Sequence, residues 1–284
     1  MRLFKKVAII GVGLIGGSIG LAVKKFKLAD EVVGIFRHKE TLKKALKKKS
    51  IDKAFLDINA AKDADLIILC SPVETIIVQL SKIAKIAKRG ALIMDVGSTK
   101  LNIVNEASKV IRKQNLFLGA HPLAGLEKKG VQNANAELFK NTICIFTPNK
   151  NKCTEKQISN FDVRFIRFWK RLGAKICIMD AKKHDEILAF TSHLPHICAF
   201  SLTNAIPFKM LEYVSNGFKD STRIASSDAT IWKDIIFSNK KKVISAINEF
   251  SRQLELIKST IEKDNKDGFL RLLKNAKNKR DFVK

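Results

Sequence analysis

The stretch Lys6 to Gly17 reads K-V-A-I-I-G-V-G-L-I-G-G and decides the fold of the first part of the chain. A short β-branched apolar run, typical of a buried strand, leads directly into G-V-G-L-I-G at residues 11–16. Helical spacing follows over residues 16–27. A G-x-G-x-x-G motif between a strand and a helix is typical of a dinucleotide-binding turn. We therefore expect a dinucleotide cofactor to bind at Gly11, Gly13, Leu14, Ile15 and Gly16.

Each glycine of the motif has a separate physical reason. Gly11 permits the tight turn, Gly13 lets a pyrophosphate approach the backbone, and Gly16 allows the helix to pack closely on the strand. The helix N-terminus then supplies amide donors and a partial positive charge for the phosphates. The same glycines argue against reading the basic start and the apolar residues 7–23 as a signal peptide.

Strand-like and helix-like segments alternate up to about residue 180, which predicts parallel βαβ units in a doubly wound sheet. We predict strands over residues 6–11, 31–36, 66–70, 91–96, 116–119, 142–146 and 174–179. We predict helices over residues 16–27, 39–49, 74–88, 99–114 and 154–171, and then only helices over 183–206, 240–262 and 265–279. The fold class is therefore α/β, with a Rossmann-type dinucleotide-binding domain at 1–180 and a helical domain at 181–284.

The composition is globular but strongly basic. The 284 residues include 53 Lys+Arg and 27 Asp+Glu, which gives a formal net charge of +26. The lysines are scattered over polar helix faces, without interleaved aromatic residues or a zinc-finger pattern, so we expect no nucleic-acid partner. Five cysteines without a C-x-x-C pair exclude a disulfide scaffold and favour the cytoplasm. No apolar stretch is long enough for a transmembrane helix, so we expect no membrane partner.

The carboxyl end of the second predicted strand favours NADP over NAD. Asp30 and Glu31 stand at the start of this strand, whereas its end reads G-I-F-R-H with Arg37. An arginine near this point can bind the 2′-phosphate of NADP, whereas NAD enzymes usually carry an acidic residue here. The loops after the third and fourth strands, with Ser71, Pro72 and G-S-T-K at 97–100, should line the same cleft because ligands bind at the carboxyl ends of parallel strands.

Three further motifs carry polar residues suited to catalysis. H-P-L-A-G at 121–125 places a histidine at a strand end, and S-H-L-P-H at 192–196 begins an apolar helix. G-F-K-D-S-T-R-I-A at 217–225 concentrates polar groups between helices. Behind a dinucleotide turn, these motifs describe a base, anion ligands and a cleft.

Together with G-V-G-L-I-G-G-S and G-S-T-K, these motifs closely resemble the prephenate dehydrogenase family over about residues 5–265. The resemblance implies oxidative decarboxylation of prephenate to 4-hydroxyphenylpyruvate in tyrosine biosynthesis, with hydride transfer to NAD or NADP. It also implies that the helical domain forms a homodimer. Neither a chorismate mutase domain nor a regulatory amino-acid-binding domain is expected. We assign no residue to a metal ion.

The resemblance also assigns roles to individual residues. His121 matches the catalytic histidine that accepts the hydroxyl proton, and Ser98 matches a serine that hydrogen-bonds near it. Arg223 matches the arginine that binds a substrate carboxylate, and His196 matches a second histidine that contacts the substrate side chain. The expected supporting residues of the substrate pocket are Asp220, Glu127, Trp232 and Asp185.

The sequence is also compatible with other activities. Arogenate dehydrogenase and dual-specificity cyclohexadienyl dehydrogenase belong to the same family, although the presence of His196 favours prephenate. A 3-hydroxyacid or 6-phosphogluconate-type dehydrogenase fits the glycine motif but leaves H-P-L-A-G and S-H-L-P-H unexplained. A non-catalytic dinucleotide sensor or nucleic-acid binder would use the fold and the lysines without turnover.

Overall fold

The computed structural model describes residues 2–125, 129–148 and 163–283. The chain forms two compact units, Met1–Asn239 and Lys240–Lys284. The change from strands to helices falls after Ile178, whereas the first compact unit continues to Asn239. The domain boundary near residue 180 therefore stays a prediction. Among the described residues, no helix is both long and apolar enough to cross a bilayer.

One eight-stranded sheet organises the first unit. Its strands are β1 (Phe4–Ile10), β2 (Ala29–Ile35), β3 (Lys53–Phe55), β4 (Leu66–Leu69), β5 (Leu92–Asp95), β6 (Leu116–Pro122), β7 (Ile143–Thr147) and β8 (Lys175–Ile178). Their order is β3-β2-β1-β4-β5-β6-β7-β8, and every neighbouring pair is parallel except β6 and β7. The first six strands have the order of the Rossmann fold, which confirms the predicted fold class.

Helices cover both faces of this sheet and then continue alone. They are α1 (Leu14–Lys25), α2 (Lys39–Lys47), α3 (Val73–Ile86), α4 (Leu101–Val110), α5 (Val163–Arg171), α6 (Ala181–Leu188), α7 (Leu194–Ala205), α8 (Asn216–Thr222) and α9 (Ala229–Ser238). A single π-helical turn, Ala189–His193, joins α6 to α7. Lys240–Lys284 contains α10 (Lys240–Glu262) and α11 (Lys266–Phe282).

Alternate residues of each central strand enter two separate apolar cores. In β1, Val7 and Ile9 lie in one core, while Ala8 and Ile10 lie in the other. This follows because successive side chains of a strand point to opposite faces of the sheet. Both faces of the central sheet are thus buried, and the site is built at the carboxyl ends of β1, β4 and β5.

The structure differs from the sequence-based expectation in three places. Strand β3 was missed because it has only three residues, two of them exposed. The expectation of parallel pairing is wrong at β7, which runs antiparallel to β6 and so needs no crossover helix. Helix α8 was also missed because it is short and mostly polar, and the more apolar helix α9 was missed as well. Only Val163–Arg171 of the predicted helix 154–171 lies within the described residues.

Candidate active site

The glycine turn after β1 has the geometry that a dinucleotide requires. Gly11 adopts φ +91°, and a Cβ atom there would lie 2.9 Å from the Cys70 carbonyl oxygen. A Cβ atom at Gly16 would lie 2.4 Å from the Gly11 carbonyl oxygen, so only glycine permits this approach of α1 to the turn. At Gly13, by contrast, the space in front of the Cα atom is open within 4 Å. The turn is closed on the protein side and open towards a ligand.

A cavity of about 970 Å³ opens directly in front of this turn. Its volume is at the upper end of the range for small-molecule and cofactor sites, about 300–1,000 Å³. The residues that the sequence predicted to bind ligand and that line this cavity are Gly11, Gly13, Leu14, Ile15, Arg37, Ser71, Pro72, Ser98 and Trp232. Gly16 is buried behind them and supports the turn.

The residues around this cavity fit a dinucleotide. The N-terminus of α1 has no side-chain cap at Gly13, so its first amide groups are available to a pyrophosphate. Arg37 and Lys82 both contribute to the lining and add positive charge. In the described ranges no cluster of His, Cys, Asp or Glu side chains has the arrangement of a metal site.

His121 lies near the carboxyl end of β6 and is joined to two residues of α6. Its Nδ1 atom lies 2.8 Å from Nε2 of His184, and Nδ1 of His184 lies 2.8 Å from Oδ1 of Asp185. His184 and Asp185 are buried, whereas His121 keeps part of its surface exposed. Asp185 also accepts the backbone N–H groups of Lys100 at 2.8 Å and Leu101 at 3.0 Å. The side chain of His121 is therefore held in place by a hydrogen bond to α6.

A buried ion pair lies next to His121. The Nζ atom of Lys100 contacts Oδ2 of Asp95 and donates a 2.8 Å hydrogen bond to the carbonyl oxygen of Ala120. Burial lowers the pKa of His121 well below its ordinary 6.5, and the nearby His184, Lys100 and His193 lower it further. His121 is thus neutral at physiological pH and can accept a proton.

His196 and Trp232 form a stacked pair on α7 and α9. Their ring centroids are 3.5 Å apart with an interplanar angle of 23°. His196 Nδ1 lies 2.9 Å from the Ser192 carbonyl oxygen, and burial lowers the pKa of His196. His193 is buried beside them, and burial lowers its pKa to about 4. Because a carbonyl oxygen only accepts, Nδ1 of His196 carries the hydrogen and Nε2 faces away with a lone pair.

The other predicted site residues take different positions. Asp220 lies on α8 and Arg223 begins the turn that follows it; both are exposed, and this turn packs on α7, which carries His196. Neither residue lines the cavity in front of the glycine turn. Asp185 is buried and does not line it either, so its carboxylate acts from behind His184. Glu127 lies outside the described residues.

The sequence did not reveal two residues that lie next to the base His121. His184 stands in K-K-H-D-E, where the adjacent His-Asp pair shortly before S-H-L-P-H was the available signal. Lys100 ends the motif G-S-T-K, which gives no sign that the lysine side chain is fully buried. The expected hydrogen-bonding neighbour of His121 was Ser98, whereas in the described residues the side chain of His121 bonds to His184.

Two family models match consecutive parts of this chain. The nucleotide-binding domain of prephenate dehydrogenase matches residues 19–178. The dimerization domain of prephenate dehydrogenase matches residues 180–275. The two models together thus cover most of the chain, with the sheet in the first and helices in the second.

Individual proteins are similar to this chain over nearly its whole length. A prephenate dehydrogenase of Bacillus subtilis (strain 168) is 36% identical, with 97% of this chain and 75% of the relative covered. A cyclohexadienyl dehydrogenase of Zymomonas mobilis subsp. mobilis is 29% identical, with 100% and 98% covered. The crystal structure of prephenate dehydrogenase from A. aeolicus in complex with hydroxyphenyl propionate and NAD+ superposes with a TM-score of 0.90 at 31% identity, and 99% and 98% of the two chains are covered.

Proposed function

The chain belongs to the prephenate dehydrogenase family, and on that premise we propose that it oxidises prephenate with loss of carbon dioxide to give 4-hydroxyphenylpyruvate in tyrosine biosynthesis. A nicotinamide dinucleotide is the cofactor. The observation that carries the proposal is the position of His121, a neutral base whose Nδ1 atom lies 2.8 Å from Nε2 of His184. His121 lies on β6, which pairs with β5, and the loop that follows β5 lines the dinucleotide cavity. The family matches do not support a 3-hydroxyacid-type enzyme or a non-catalytic sensor.

The base accounts for the first requirement of the reaction. The bound nicotinamide supplies the hydride acceptor. His121 takes the proton of the ring hydroxyl as the carbonyl forms, and Ser98 hydrogen-bonds to the same hydroxyl. His184 occupies Nδ1 of His121, so the proton is accepted at Nε2. A general base of this kind contributes about 10²- to 10⁴-fold to the rate.

Charge complementarity accounts for the second requirement, which is that one carboxylate is held while the other leaves. Arg223 holds the side-chain carboxylate, since a guanidinium group can bind a carboxylate through two parallel hydrogen bonds. His196 and the stacked Trp232 contact the same side chain, and Asp220 orients the Arg223 turn. Glu127 completes the pocket in this proposal. The ring carboxylate leaves as carbon dioxide, and the electron pair of the broken C–C bond enters the ring, which becomes aromatic.

The preferred form of the cofactor is NADP. Arg37 is exposed at the carboxyl end of β2, and it lines the cavity together with His38, Thr41 and Lys82. Asp57 lines the cavity as well, but its carboxylate already accepts the backbone N–H of Asn59 at 2.9 Å. A 2′-phosphate beside Arg37 therefore has a cationic partner, whereas the carboxyl end of β2 offers no carboxylate to the ribose hydroxyls of NAD.

Arogenate is the second candidate substrate, and the hydrogen bonding of His196 favours it. With Nδ1 donating to Ser192, the neutral ring presents only an acceptor, which suits the ammonium group of arogenate. The keto acid side chain of prephenate needs a donor, and therefore a protonated His196. Since burial lowers the pKa of His196, the preference for prephenate over arogenate should increase as the pH falls.

The helices after residue 180 form the substrate and dimerisation domain, and the enzyme acts as a homodimer. The two family models meet between residues 178 and 180, which supports a domain boundary there. Within Lys240–Lys284, the exposed apolar side chains of Leu254, Leu270 and Leu273 suit a partner surface. Sedimentation velocity of the purified enzyme should give a dimer.

The unpaired cysteines of the described residues favour the cytoplasm as the location of the enzyme.

The experiment that tests the function measures reduced nicotinamide formation with prephenate, using NAD and NADP in separate reactions. Turnover with prephenate supports the reaction, and the faster cofactor decides the role of Arg37. Arogenate is measured in parallel across pH. If neither substrate gives turnover with either cofactor, the proposed reaction is wrong.

A further inference from the structure

Two hydrogen bonds in series connect His121 to a buried carboxylate. Asp185 accepts from Nδ1 of His184 at 2.8 Å, and Nε2 of His184 lies 2.8 Å from Nδ1 of His121. The carboxylate is anchored in turn by the backbone N–H groups of Lys100 and Leu101. The three side chains therefore form a line from the packed contact of α4 and α6 to the end of β6.

The direction of each hydrogen bond follows from what each atom can do. An ionised carboxylate only accepts, so Nδ1 of His184 must carry its hydrogen. A neutral imidazole has one N–H group, which leaves a lone pair on Nε2 of His184. Nδ1 of His121 must then donate to that lone pair. The remaining ring nitrogen of His121, Nε2, is left as the acceptor.

We infer that His184 and Asp185 are positioning residues that hold His121 in the tautomer with an unprotonated Nε2, the only tautomer in which Nε2 can accept the substrate proton. This inference rests on the proposed function of His121 as the base. It also moves Asp185 from the substrate pocket to a place behind the base. Neither residue touches the substrate; both act through the ring of His121.

The surroundings keep His184 in the neutral form that this arrangement needs. Burial lowers the pKa of His184, and the positive charge of Lys100 lowers it further, while Asp185 and Asp95 act in the opposite direction. Burial has the largest effect of these. His193, the other buried histidine nearby, hydrogen-bonds to Asn239 instead and takes no part in the line.

Two substitutions of His184 separate positioning from packing. His184→Leu fills the buried space with an apolar side chain but removes the acceptor for Nδ1 of His121. His184→Gln can return an acceptor through its amide oxygen, while its NH₂ group donates to Asp185. Thr147→Val serves as the matched control, because it removes another buried hydrogen bond to β6, from Thr147 Oγ1 to the Gly119 carbonyl at 3.2 Å.

The readout is the ¹⁵N NMR signature of the His121 ring in the enzyme without substrate, together with kcat and KM for prephenate. In the wild type and in His184→Gln, Nδ1 should be protonated and Nε2 unprotonated. In His184→Leu, the Nε2-protonated form should appear and kcat should fall about 10- to 100-fold, with little change in KM. Thr147→Val should lower Tm and leave the His121 signature and kcat unchanged.

Three results would overturn the inference. These are a wild-type His121 protonated at Nε2, a folded His184→Leu enzyme with a kcat within about 2-fold of wild type, and an equal loss of kcat in His184→Leu and His184→Gln. The ring signature needs no turnover. A failure of the positioning role can therefore be distinguished from a failure of the proposed reaction.

Discussion

Replacing Lys100 with methionine should destabilise the unit Met1–Asn239 by about 3–5 kcal/mol. Methionine retains most of the aliphatic length but removes Nζ, which is buried between Asp95 and the Ala120 carbonyl. Asp95 would become a buried carboxylate without its cation, and its Oδ1 already lacks a hydrogen-bond partner among the described residues. In a domain of about 150–250 residues, each kcal/mol shifts Tm by about 2–4 °C, so Tm should fall by about 6–20 °C.

A second substitution isolates the cause. In Lys100→Met/Asp95→Asn the uncompensated charge is gone, and the asparagine oxygen can still accept the Gly97 N–H bond, which is 2.8 Å in the native enzyme. We expect the double variant to recover most of the lost Tm in thermal unfolding followed by circular dichroism. A single variant that melts within about 2 °C of wild type, or a double variant no more stable than the single one, would refute this reasoning.

The single variant Lys100→Met also tests the electrostatics of the base. The base is active when it is unprotonated, so kcat/KM falls at low pH. This acid limb of the pH profile follows the pKa of His121. Burial is the main cause that lowers this pKa, and Lys100 contributes a smaller part. Without Lys100, the acid limb should move up in pH while staying below 6.5, because burial remains. An unmoved limb would mean that the lysine has no influence on the base.

Three further predictions concern single side chains of the proposed site. His121→Asn should bind the cofactor normally by fluorescence titration but lose about 10²- to 10⁴-fold in kcat, and near-normal turnover would contradict its role. Arg223→Ala should raise KM for prephenate about 10- to 100-fold and leave cofactor affinity unchanged in steady-state kinetics, because it removes a charged hydrogen bond. Arg37→Ala should lower kcat/KM about 10- to 100-fold for NADP only, and equal losses for NAD and NADP would exclude a 2′-phosphate contact.

The parts of the fold that are local in sequence could be predicted. The glycine turn needs only a strand, a helix and three glycines at fixed spacing, and its geometry appears as expected at Gly11 and Gly16. The central strands were predicted because both faces of a central parallel sheet are buried and such strands read as continuous apolar runs. The direction of β7 could not be predicted, since its sequence fits either direction and pairing with β6 decides it.

The groups behind the base could not be predicted for a related reason. K-K-H-D-E has the composition of an exposed helix, and His184 is buried because α6 packs on α4 and β7. A lysine is almost never fully buried unless paired, and the sequence of G-S-T-K does not indicate that the partner of Lys100 is Asp95. Both features depend on which elements meet, which is information that no single segment contains.

Lys100 connects the wall of the dinucleotide cavity to the base His121. This connection determines which properties of the enzyme a mutation at Lys100 can change independently. Its backbone N–H holds Asp185, and its Nζ atom holds Asp95 and the carbonyl of Ala120, next to His121 in sequence. Asp95 in turn accepts from the backbone of Gly97, which lines the dinucleotide cavity. The cavity wall and the base are thus parts of one buried hydrogen-bonded unit. Substitution of Lys100 alone should therefore change stability and the acid limb together, whereas substitution of Arg37, which follows β2, should change cofactor choice alone.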